Sequence, residues 1–197
     1  MKNKPLQTLK YILFDAISAA TAWVLFFYYR SVQIDGKSII LSNTLIKGVI
    51  IVTIAWIVLY TFFGFYKNIY RKSRLRELGQ TFTSSILGVT VLFFAVLIDD
   101  FIVTYKQYYL SYLVLFGYHF GITAFFRFFL SSVTAHRIHN KLIGFNTLII
   151  GSNEKAARLF NDLENEVKSS GHRIRGFVNV DEKHSYLLSN HTNHLGS

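Results

Sequence analysis

Four long apolar runs, 11–28, 45–63, 81–98 and 109–130, constrain this chain more than any other feature it has. Each comes close to the ~20 residues a helix needs to cross ~30 Å of hydrocarbon. Helices are the expected form, because open strands in lipid leave their backbone N–H and C=O groups unpaired. Composition agrees. Of 197 residues, 51% are hydrophobic and only 16% are charged, which sets the chain apart from ordinary soluble domains. The basic stretch before the first run invites a signal-peptide reading. That run, however, is longer than a signal core, carries Asp15 and lacks a small-x-small cleavage site, so it reads as a retained membrane helix. The chain has no cysteine, which excludes disulfides and thiolate metal sites.

The flanking cations predict the orientation. Lys2, Lys4 and Lys10 precede the first run, Lys67, Arg71, Lys72, Arg74 and Arg76 follow the second, and Arg137 and Lys141 follow the fourth. The other ends carry only Arg30, Lys37, Lys47 and Lys106, together with Asp35, Asp99 and Asp100. Both termini are therefore expected in the cytoplasm. The net charge of +10 calls for anionic lipid as partner. Nucleic acid is not expected, since the basic residues flank apolar runs and do not gather in one soluble block. The segment YKNIYRKSRLRELGQ, 66–80, reads as a cytoplasmic loop in the headgroup layer. Its cations Lys67, Arg71, Lys72, Arg74 and Arg76 are candidate lipid or phosphate contacts, because the guanidinium fork matches phosphate oxygens. The plainer reading is a topological anchor.

Within the runs, Asp15 lies about one turn into the first and Arg127 about one turn from the inner end of the fourth. Antiparallel helices bring them to similar depth, where a buried ion pair is expected, with separate snorkelling the alternative. Gly117 and Gly121 stand four apart in the fourth run, as do Ser84 and Gly88 in the third. Such pairs let helix backbones approach closely. Use inside the bundle is expected, with a homo-oligomer contact the alternative. His119, between the glycines, reads as a hydrogen-bonding packing residue of the bundle, with a proton relay the alternative.

Beyond residue 140 the pattern changes. TLII, 147–150, reads as a strand and Gly151 as a tight turn, with Ser152 or Asn153 capping a helix. Ala156, Leu159, Phe160, Leu163 and Val167 recur at helical spacing and define one buried face, Gly171 fits a helix stop, and HRIRGFVNV, 172–180, reads as a second strand. Together they make a βαβ unit. A dinucleotide fingerprint needs G-x-G-x-x-G/A. Here Asn153 stands where the middle glycine belongs and Ala156 ends the pattern, so Gly151, Ser152 and Asn153 are a weak cofactor-binding set and a structural unit is the stronger reading. The tail from Asp181 onward, with His184, His191 and His194, reads as solvated rather than metal-binding. It could form a short helix and a stub but is too short to complete a doubly wound sheet, so the second domain is expected to be cut off within this sequence. The predicted fold is thus an α-helical membrane protein, a four-helix transmembrane bundle over 1–140, followed by an incomplete Rossmann-like α/β unit over 141–197.

Four spans, the loop YRKSRLRELGQTF, the lead-in HRIHNKLIGFNTLIIGS and GFVN on the second strand together resemble the N-terminal part of bacterial sugar transferases, the polyprenyl-phosphate sugar-1-phosphate transferases. The resemblance covers essentially the whole chain. It implies a multi-pass protein of the bacterial cytoplasmic membrane. In the family, a complete Rossmann-like domain, a further membrane helix and a magnesium-dependent catalytic domain follow, and sugar phosphate passes from a UDP-sugar to undecaprenyl phosphate to start exopolysaccharide, capsule or O-antigen. No catalytic segment of that kind lies in this sequence, so no catalytic residue, metal ligand or cofactor is carried over. Polysaccharide assembly proteins are the partners the resemblance implies. Two alternatives stand beside it: a non-catalytic membrane adaptor, and the N-terminus of a membrane-bound nucleotide-sugar dehydratase or epimerase.

Overall fold

The structure, a computed structural model, describes residues 4–33, 42–67, 69, 74–97, 105–179 and 186–196. The chain divides into two compact units, one of residues 3–132 and the other chiefly of residues 133–197.

The first unit is helical. Helices α1 (Lys4–Gln33), α2 (Asn43–Phe62), α3 (Arg74–Leu92) and α4 (Tyr105–His139) follow in order, and a π-helical turn, Phe93–Leu97, continues α3. All four are long and apolar enough to cross a membrane by length and composition. The 20 residues of α2 span about 30 Å. Ser42 caps α2, its hydroxyl accepting from the Leu45 N–H at 3.2 Å. Three helices run past their apolar stretches, because backbone hydrogen bonding does not stop where side chains turn polar. The basic segment is therefore not a loop throughout. From Arg74 onward it is the first two turns of α3, built from the strong helix formers Arg, Leu and Glu.

The interior of this unit is partly polar and its outside apolar. Trp23, Phe26, Val52, Trp56, Tyr60, Phe65, Val89 and Leu115 form the main buried cluster. Asp15, Ser18, Glu77, Thr81, Ser84, Ser85, Ser111, His119 and Arg127 are buried as well. Outward stand Ile51, Val58, Phe62, Leu113 and Phe125, each more than half exposed. On α4 the buried stripe is Ser111, Leu115, His119, Thr123 and Arg127, a spacing of four that keeps to one helix face. Gly117 and Gly121 lie about half a turn away from that stripe. Both are exposed, and a Cβ on either would meet nothing. The expectation that they pack inside the bundle is thereby corrected. The helix period puts His119 inward and its flanking glycines outward. Gly88 does make a close approach, since a Cβ there would collide with the Trp56 ring.

The second unit holds β1 (Phe145–Ile150), α5 (Glu154–Asn165), β2 (His172–Val178), a 3-10 turn (Leu187–Asn190) and β3 (His194–Gly196). The strands form a parallel sheet in the order β1-β2-β3. Its β1–β2 register runs from Phe145 opposite His172 to Ile150 opposite Val178, with a bulge after Thr147. Ile149, Ala156, Phe177 and Leu188 make the core on one face. Leu148 and Ile150 are exposed.

Three expectations change here. Helix α5 ends at Asn165 with Glu166 as its cap, so Val167 is almost fully exposed and Leu159, off the Ala156–Phe160–Leu163 stripe, is exposed too. Gly171 does not stop the helix. It has φ +89° and leads into β2, where Ile138 and Phe145 close on its α-carbon. The described part of the tail, residues 186–196, forms a 3-10 turn and a short third strand and so is more than a solvated end. Gly176 permits this, because a Cβ there would strike Leu195 and the Asn193 carbonyl.

Candidate functional site

Asp15 and Arg127 come from α1 and α4, each roughly three turns from a helix end. Arg127 holds the carboxylate with two prongs, Nε to Oδ1 at 2.9 Å and Nη2 to Oδ2 at 2.8 Å. The two side chains are 3% and 2% exposed. At that burial a lone charge is costly, and bidentate geometry with extra donors is what makes a pair tolerable. The extra donors are present. The Tyr66 hydroxyl donates to Asp15 Oδ2 at 2.9 Å, and Arg127 Nη1 donates to Thr81 Oγ1 at 3.3 Å. Burial, and then the neighbouring Asp15 carboxylate, raise the Tyr66 pKa, so its hydroxyl stays a donor.

The guanidinium also sits over two rings, 4.2 Å from the Tyr60 centroid and 4.0 Å from Phe65. Both distances are well inside cation–π range. Tyr60 and His119 share a hydrogen bond of 2.8 Å between the hydroxyl and Nε2, and His119 stacks on Trp56 with centroids 3.6 Å apart. Glu77 and Thr81 of α3 line the same narrow cleft as Arg127. One guanidinium thus gathers α1, the end of α2 with its following turn, α3 and α4.

Such an arrangement orders helices. Among the described residues no three His, Cys, Asp or Glu side chains are grouped to hold a metal.

The remaining candidates are placed as follows. Lys67, Arg74 and Arg76 are exposed. The Arg74 guanidinium stands 5.7 Å from the Phe128 ring, and Arg76 borders a groove with Phe63, Phe65, Gln80 and Thr83. Arg71 and Lys72 lie outside the described residues. Gly151 has φ +105° and donates its N–H to the Val178 carbonyl at 2.7 Å. The Asn153 side chain accepts from the Ala156 N–H at 3.0 Å, capping α5. The Ser152 hydroxyl accepts from the Leu188 N–H at 3.1 Å. Each of these three residues therefore has a structural task. Of the tail histidines, His184 lies outside the described residues, His191 packs near Phe160, and His194 stacks on Tyr186 at 4.6 Å.

The sequence reading missed the aromatic cage and the Thr81 contact. Tyr60 and Tyr66 stand near the end of the second apolar run, where aromatic residues are common, and nothing in the sequence marks them as partners of Asp15 and Arg127. No family model, no curated protein and no solved structure matched the chain.

Proposed function

We propose that this chain is the membrane-anchoring region of a polyprenyl-phosphate sugar-1-phosphate transferase of the bacterial cytoplasmic membrane, without catalytic activity of its own. The observation that carries the membrane part is the inverted distribution of polarity. Ile51, Val58, Phe62, Leu113 and Phe125 face outward while Asp15, Arg127, Glu77 and His119 are buried. Contiguous apolar surface on this scale is rare on a protein in water, and buried ionisable groups turned to a bundle interior are usual in lipid. The transferase part rests on the resemblance of the loop and lead-in segments, and is supported by the parallel strand–helix–strand unit that follows α4.

In this role the bundle anchors and orients a cytoplasmic catalytic domain supplied by further polypeptide, and the Arg127 cluster keeps the four helices in one arrangement. The test is a chimera. The catalytic domain of a sugar-1-phosphate transferase, stripped of its own membrane region, is joined to this chain or to an unrelated four-helix membrane module. Transfer of sugar phosphate from UDP-sugar to undecaprenyl phosphate is then measured in membranes. Restoration by this chain above the unrelated module is expected. Equal restoration by both, or turnover by this chain alone, overturns the proposal.

A further inference from the structure

A pocket of about 310 Å³ lies in the second unit, beside the N-terminal parts of β1 and β2 and the C-terminal end of α5. It is formed wholly within residues 141–175, all of them described. Three cations line it, Lys141, Arg173 and Arg175, against one carboxylate, that of Glu164. The next acid along the chain, Glu166, already accepts the Ser170 N–H at 3.0 Å. Each cation is steered by a neutral oxygen and not by an acid. Lys141 Nζ donates to the Glu164 carbonyl at 3.1 Å, Arg173 Nη2 to the Lys141 carbonyl, and Arg175 Nε to Asn146 Oδ1 at 3.1 Å. Gly144 lets the Arg173 stem lie across the backbone, since a Cβ there would strike it. One donor per cation sets its position, while most of the N–H groups and all of the positive charge remain.

We infer that this pocket binds a phosphate-bearing ligand, its phosphate oxygens held by Lys141, Arg173 and Arg175. Charge complementarity selects the group. Three cations less one carboxylate leave two positive charges, and a phosphate near its dianion matches them. Its several oxygens meet two guanidinium forks and an ammonium together. A carboxylate ligand brings half that charge on two oxygens. The volume lies at the lower end for small-molecule sites. A soluble phosphate and a lipid headgroup share this chemistry. The inference is independent of the transferase reading.

Both arginines are exposed, so their modification by phenylglyoxal, read residue by residue in a mass spectrometer, reports occupancy. Arg158 of α5, exposed and outside the pocket, is the internal control. The full chain in phosphatidylcholine nanodiscs is treated with inorganic pyrophosphate or with chloride at equal ionic strength. A further arm places it in nanodiscs that also contain phosphatidic acid. Modification of Arg173 and Arg175 at least fivefold slower, with Arg158 unchanged, is expected in at least one phosphate arm. Slowing by pyrophosphate assigns a soluble phosphate, and slowing by phosphatidic acid alone assigns a lipid headgroup. The protection is expected to be lost in K141Q and kept in K141R, which preserves the charge. No slowing in either arm, equal slowing at Arg158, or protection that survives K141Q overturns the site.

Discussion

At the scale of single residues, Arg127 ties together several segments of the first unit. It makes a bidentate pair with Asp15, a hydrogen bond to Thr81 and ring contacts with Tyr60 and Phe65. Removing one partner of a buried pair strands the other, at about 3–5 kcal/mol. Asp15→Ala should therefore lower thermal stability in detergent sharply. The double variant D15A/R127M, which strands neither charge, should be more stable than the sum of the two single losses predicts. Strictly additive losses in a double-mutant cycle would show that the two residues are not coupled. Arg127→Lys keeps the charge but loses the fork, and its melting temperature should fall between those of the parent and R127M. Asp15 and Arg127 were legible in the sequence because charges inside apolar runs are conspicuous. Their aromatic and hydroxyl partners were not, because Tyr60, Phe65, Tyr66 and Thr81 are ordinary residues for a membrane helix or its edge.

At the scale of elements, the helix period separates two glycine pairs that look alike as text. Gly88 faces Trp56 and Gly121 faces open space. Gly88→Val should overpack the α2–α3 contact and cost about 1–3 kcal/mol, whereas Gly121→Ala should leave the monomer's stability within about 0.5 kcal/mol. Melting curves of the two variants in one detergent make the comparison, and equal losses would refute the assigned faces. In the second unit the Asn153 cap is the local signal that starts α5. Asn153→Ala should cost about 1 kcal/mol, while Asn153→Ser, which retains an acceptor, should recover most of it in denaturant unfolding followed by circular dichroism. The capped start of α5 was legible because capping is encoded within three residues. Its end was misplaced, because the spacing that suggested Val167 says nothing about where backbone hydrogen bonding stops.

At the scale of the whole molecule, the membrane placement proposed above predicts four crossings with both ends of the chain on one side, and the cation count predicts that this side is the cytoplasm. The absence of cysteine makes a direct test simple. Single substitutions Thr44→Cys, Lys67→Cys and Arg158→Cys are exposed in spheroplasts to a membrane-impermeant maleimide. Labelling of Thr44→Cys alone is expected, with the other two reacting only after the membrane is opened. Labelling at Arg158→Cys in intact cells would invert the topology.

What the sequence by itself determined is the number of long helices, the strand–helix–strand order after them and the presence of two charges within the apolar runs. These follow from hydropathy and local spacing, which act along the chain. Tertiary structure alone decided that Gly117 and Gly121 face outward, that the 186–196 tail adds a parallel strand beside Phe177, and that Tyr60, Phe65, Tyr66 and Thr81 close around one guanidinium. Those contacts join residues tens of positions apart, and their free energy depends on burial and geometry that exist only once the elements have met.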